Sequence, residues 1–190
     1  MNLKLAPSPA PIPSALRGVP LHARPSAAAG CSILLVPDAD GSVSLDWRRR
    51  LRRAELLRLA EDRGADLHAW ARSIVAASIV APRPVVLVAQ GYGCLAAVLA
   101  GALRPGAIAG AMLLDPADPA RYAAEALMEH TVPAFASTLV MDPEREDLST
   151  SRAWYWALTW GSQMASFGRP AAQRDGGLAL LEQLCRRVLE

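Results

Sequence analysis

The segment VVLVAQGYGCLAAVLA, Val85 to Ala100, constrains this chain more than any other. A β-branched run leads into a short turn holding Gly91 and Gly93, and an alanine-rich helical stretch follows. A strand that turns at once into a helix is the layout of a nucleophile elbow, a sharp turn that exposes the side chain at its tip. The residue expected there is serine. Here the tip is Gly91, which has no side chain.

The rest of the chain repeats the strand–helix alternation. Ile33 to Val36 is a short apolar run, followed by Pro37 and an Asp/Gly-rich turn. The segment from Leu45 to Leu59 starts as a helix, and Leu56 to Ala60 is a candidate second strand. Asp66 is placed to cap a helix with Leu67, Trp70, Ile74 and Ala77 on one face, and Pro82 and Pro84 stop it. After the strand Val85–Ala89 and the helix Tyr92–Leu103, a strand runs up to Leu114. A loop with Pro116 and Pro119 comes next, then a short helix over Tyr122 to Met128. The stretch AFASTLVM reads as a strand. STSRAWYWALTWG reads as a helix capped by Ser149 or Thr150, and SQMASFG as a last strand. A closing amphipathic helix is expected from Gly176. The strands lack strict polar alternation. This pattern predicts an α/β domain, with a mostly parallel central sheet covered by helices on both faces.

A chain of 190 residues suits one such core. Residues 1–29 read as a Pro/Ala-rich arm, because Pro7, Pro9, Pro11 and Pro13 interrupt any apolar run of signal-peptide type. The domain is expected over residues 30–190. No run is long and apolar enough for a membrane span, so no membrane partner is expected. The formal charge of +2 argues by itself neither for nor against a nucleic-acid partner, and no such partner is expected. Cys31, Cys94 and Cys185 are odd in number and far apart. They read as buried small hydrophobes in a reducing compartment, which points to the cytoplasm, rather than as a disulfide framework or zinc site. QGYG lacks the spacing of a dinucleotide or P-loop motif, so no cofactor is expected.

The strand ends VPDADGS, VAQGYGC, LLDPAD and VMDPERED should share one edge of the sheet, where sites of such folds lie. With Trp47, Trp70, Gly93-Cys94-Leu95-Ala96, Pro116-Ala117-Asp118, Trp160-Gly161 and the final GGLALLEQL, they form an ordered set. In it, residues 31–190 resemble the small α/β hydrolases of the retinoblastoma-binding protein nine and YdeN-like group. The resemblance implies a single-domain α/β-hydrolase fold and serine-hydrolase chemistry. That chemistry needs a nucleophile, a histidine base, an acid that orients the histidine, and amides that hold the oxyanion.

The departures fall on those positions. The nucleophile position is Gly91. The acid position, counted back from Trp160, is Arg145, flanked by Asp142 and Asp147. The histidine position is Ala172. The family's glycines after strand one become Asp38-Ala39-Asp40, two carboxylates where negative charge would develop. Among the histidines, His22 lies in the arm. His68 is expected at the far end of the sheet, and His130 at its amino edge. The residues expected to line the cleft are Asp38, Ala39, Gln90, Gly91, Tyr92, Asp115 and Asp142, with Asp118 beside them. No metal-ligand spacing is present.

Three functions follow as expectations. The first is a catalytically degenerate family member that binds a small molecule or a protein. The second is an esterase working through Cys94, Ser137, Ser149 or a water held by Asp115 and Asp142. The third is an interaction module using the Arg48–Arg53 face, the arm, or the Trp154–Tyr155–Trp156 cluster, of which at least one ring should be exposed.

Overall fold

The computed structural model describes residues 27–42, 47, 51, 55–56, 66–141, 148–166 and 170–190. A 3₁₀ turn, Ala27–Gly30, leads into β1, Ser32–Val36. Then come β2, Glu55–Leu56; α1, Leu67–Val80; β3, Val85–Gln90; and α2, Tyr92–Leu103. β4 is Gly110–Leu114, α3 Glu125–Glu129, β5 Ala136–Met141, α4 Thr150–Thr159, β6 Gln163–Ser166 and α5 Pro170–Leu189.

The six strands form one sheet in the order β2-β1-β3-β4-β5-β6, with every pairing parallel. β3 and β4 are its centre. β4 is buried at every residue, as expected of a strand covered on both faces. The strand residues divide by parity. Leu34, Val36, Leu87, Ala89, Leu113 and Leu139 face one core with α1, α2 and α4. Leu35, Val86, Val88, Met112, Leu114 and Val140 face the other, against Leu181, Leu184 and Cys185 of α5. All three cysteines are free and buried.

Three predicted elements need correction. The short helix over Tyr122 to Met128 is two pieces, a 3₁₀ turn Pro119–Tyr122 and then α3. Ala123 between them adopts φ 51, a left-handed conformation that no helix contains. The closing helix starts at Pro170 rather than Gly176, so Gly176 and Gly177 lie inside it. Proline suits a first helical turn, and packing on the sheet overrides the low propensity of the glycines. The second strand begins one residue before Leu56. The expected N-terminal arm through residue 26 and most of the Arg48–Arg53 segment lie outside the described residues.

α4 shows how tertiary packing sorts adjacent aromatics. Trp156 is buried, with its ring stacked on Trp160 at 5.3 Å. Trp154 and Tyr155 are about half exposed. Trp156 Nε1 has no hydrogen-bond partner. Trp156→Ala should therefore cost about 3–5 kcal/mol in chemical denaturation. Trp156→Phe should cost much less, since it keeps the ring packing and removes an unpaired N–H.

Candidate functional site

The carboxyl ends of β1, β3 and β4 converge on the turn at Gly91. Gly91 has φ 55 and ψ −122, a conformation that side chains rarely adopt. Its N–H donates to the Leu114 carbonyl, and its own carbonyl accepts from the N–H groups of Cys94 and Ala117. The elbow is thus tied to the loop after β4. Gly93 has a second, steric reason to be glycine. A Cβ there would lie 2.2 Å from the Pro37 carbonyl oxygen, a backbone atom that cannot move aside.

The loop after β1 closes the site from the other side. Asp38 donates its N–H to the Ser42 carbonyl and accepts at its own carbonyl from Gly41, each at 2.9 Å. Gly41, at φ 75, makes that turn. The Asp38 carboxylate then points at the elbow. Its Oδ1 accepts from the Ala39 N–H at 2.7 Å and from the Tyr92 N–H at 2.8 Å. In a hydrolase elbow, the oxyanion donors are the amide after the nucleophile and an amide from a strand loop. Tyr92 and Ala39 stand in those two places, and both donate to an internal carboxylate. A Cβ on Gly91 would lie 2.1 Å from the carboxyl carbon of Asp38 and from Oδ2. The space where a nucleophile would project is already filled. Asp40 acts apart from this: it is exposed, and its carboxylate accepts from Ser42 N–H in a local turn.

An aromatic layer lies beside the elbow. The Tyr92 ring is buried, edge-on to Trp70 at 5.2 Å and tilted against the half-exposed Tyr122 at 4.5 Å. Of the residues expected to line the cleft, Tyr92 packs its ring among these aromatics. Burial, then the negative charge of Asp66, then Tyr122 push its hydroxyl pKa up. The reach of Asp66 to Tyr92 also corrects the placement of His68. α1 runs back against the parallel strands, so its amino end lies at their carboxyl edge. His68, exposed in its first turn, is on the site's side of the sheet.

Cys94 is not an available nucleophile. It is fully buried, and its thiol donates toward the carbonyls of Ala89 and Leu114. Burial raises its pKa well above the ordinary value, and the charges of Asp115 and Asp38 raise it further, so it stays a thiol. Ser137 lies near the amino end of β5, bonded to Ser162 Oγ at 2.6 Å and far along the strand from the elbow. Ser149 is the helix cap of α4, accepting from the Arg152 N–H. His130 is exposed at the end of α3.

Gln90 ends β3 and Asp115 directly follows β4 at this rim, both half-buried. Asp115 holds φ 43 and donates its N–H to Val140. Asp118 has a structural role. It caps the 3₁₀ turn through Ala120 N–H and pairs with Arg152 at 2.7 Å; Arg152 also reaches Glu125 at 2.8 Å. This ion-pair network, which the sequence reading missed, fastens α4 to the loop after β4. Asp142, Arg145 and His22 lie outside the described residues. Ala172 sits in the first turn of α5 rather than in a loop before it. Among the described residues, no group of three or more His, Cys, Asp and Glu is arranged to hold a metal. None of their helices is long and apolar enough to cross a membrane. A cleft of about 540 Å³, lined by Ser78, Arg83, Val85, Arg104 and Ala109, opens at the amino edge and includes none of the predicted site residues.

A parallel sheet in this order, with an elbow at the carboxyl end of its central strand, defines an α/β-hydrolase fold. The chain belongs to the serine hydrolase family, whose model matches residues 33–178. No curated protein matches it in sequence. Among solved structures it is similar to a YdeN-like hydrolase from Pectobacterium atrosepticum, at 25% identity and a TM-score of 0.73, covering 85% of this chain and 94% of that one. It also superposes on the ydeN gene product of B. subtilis at 13% identity and a TM-score of 0.59, covering 84% and 97%. A cold-adapted esterase from an Arctic intertidal metagenomic library matches at 14% identity and a TM-score of 0.58, covering 82% and 84%. These last two likenesses concern the fold.

The thiols give a test with a definite sign. Burial and the neighbouring Cys31 push Cys185 up to about 12 from an ordinary value of 9.0. Its contribution to stability is complete below pH 9 and is lost as pH rises toward 12, because the unfolded chain ionises first. Stability should fall by up to about 1.4 kcal/mol per pH unit for this thiol. Cys185→Ala should flatten the alkaline limb of a stability–pH curve. Cys94 should resist thiol reagents at neutral pH until the protein is denatured.

Proposed function

We propose that this chain is a catalytically degenerate member of the serine hydrolase family, keeping the elbow as architecture and acting by binding a ligand or protein partner. The observation that carries this reading is the Asp38 carboxylate on the amides of Ala39 and Tyr92, over a glycine at the nucleophile position. A developing oxyanion needs those two donors free. Here they are satisfied by a group that would oppose its charge. Removing a serine nucleophile alone costs on the order of 10⁶ in rate in a studied protease. The state of Cys94, Ser137 and Ser149 offers no substitute. The half-exposed rings of Trp154 and Tyr155, next to the exposed Leu158, favour a protein over a small molecule as the partner.

The test is hydrolysis of short-chain p-nitrophenyl esters by the full chain, with fluorophosphonate labelling read by mass spectrometry. Release at the buffer rate and no adduct are expected. Turnover well above buffer that survives repurification, or one adduct per chain, would sink the proposal and restore the esterase reading.

A further inference from the structure

Two amides from different elements converge on one oxygen. The Ala39 N–H belongs to the loop after β1, and the Tyr92 N–H to the first turn of α2, yet both end on Asp38 Oδ1. Asp38 is presented from a closed turn, with its own N–H and carbonyl both bonded within Asp38–Ser42. The backbone that presents it is therefore fixed by the turn's own hydrogen bonds. Its carboxylate also fills the volume that any Cβ at residue 91 would need.

We infer that the amides of Ala39 and Tyr92 form an intact carboxylate-binding hole that Asp38 closes from within, an autoinhibitory clasp in which Asp38 and Gly91 require one another. The Asp38 carboxylate in this position and a Cβ at residue 91 exclude one another. Gly91 leaves the space that lets Asp38 reach both donors. With the carboxylate removed, one donor in the loop after β1 and one at a helix N-terminus lose their acceptor, and a planar anion of formate or acetate size matches the group they held. The clasp stands apart from the question of turnover: it concerns what occupies the hole, whether or not the wild type cleaves an ester.

The experiment is a thermal-unfolding cycle on the full chain: wild type, Asp38→Ala, Gly91→Ser and the double variant. Each is measured in sodium chloride and in sodium formate of equal ionic strength. Gly91→Ser should lower the melting midpoint by several degrees in the wild-type background and by clearly less in the Asp38→Ala background. The strain of a serine at φ 55 is common to both and cancels in the cycle. If Gly91→Ser alone fails to fold, folding of the double variant is the same expected result. Formate should raise the midpoint of Asp38→Ala above its value in chloride and leave the wild type unmoved, because a ligand stabilises only the state that binds it. Asp38→Asn, which keeps an acceptor oxygen, should show no formate response. Equal costs of Gly91→Ser in both backgrounds, or a formate shift the same in wild type and Asp38→Ala, overturns the clasp. Ester turnover by the wild type with the cycle intact would instead overturn only the proposed loss of catalysis.

Discussion

The first turn of α2 approaches the end of β1 so closely that only a glycine fits between them, and much else depends on it. With no Cβ at Gly93, the helix comes down onto the Pro37 carbonyl. That contact brings the Asp38 turn over the elbow and α2 into the interior, buried from Tyr92 to Gly101. A helix this deeply buried needs small residues, and GYGCLAAVLAGA supplies them. α1 then packs on α2 through Trp70, Ala71 and Ile74, and the elbow loop is fixed from both neighbouring strands.

The electrostatics of the elbow follow from the same approach. A helix N-terminus favours negative charge, and an elbow normally reserves that preference for a transition state. Here a resident carboxylate takes it in the ground state. The two partners suit one another: the amides find a full acceptor, and the acid finds two donors in a half-buried place. Burial first, and then the charges of Asp115 and Asp38, keep Cys94 below the elbow as a thiol.

Away from the elbow, the loop after β4 is pinned by side chains far apart in sequence. Arg152 of α4 meets Asp118 and Glu125. Tyr122, at the end of the 3₁₀ turn, lays its ring on Tyr92. These contacts explain why the predicted helix over Tyr122 to Met128 breaks at Ala123. The chain must turn there so that Tyr122 can face the elbow while Met128 reaches the core.

Much of the fold was legible because it is local. β-branched runs bounded by proline and glycine, and helices with caps at Asp66 and Ser149, can be read one window at a time. So could the missing side chain at Gly91 and the acids at Asp38 and Asp40, each as a departure from a family pattern. Their connection could not. Asp38 and Gly91 are far apart in the chain, and only the parallel pairing of β1 with β3 sets one beside the other. Which of two nearby carboxylates takes the amides, which of three adjacent aromatics is buried, and which edge of the sheet His68 stands on depend on direction and packing in three dimensions. The sequence by itself determined an α/β-hydrolase scaffold with a glycine at the elbow tip. Only the tertiary structure decided that the vacancy is filled, because a hydrogen bond between distant elements exists once the strands have brought them within 3 Å.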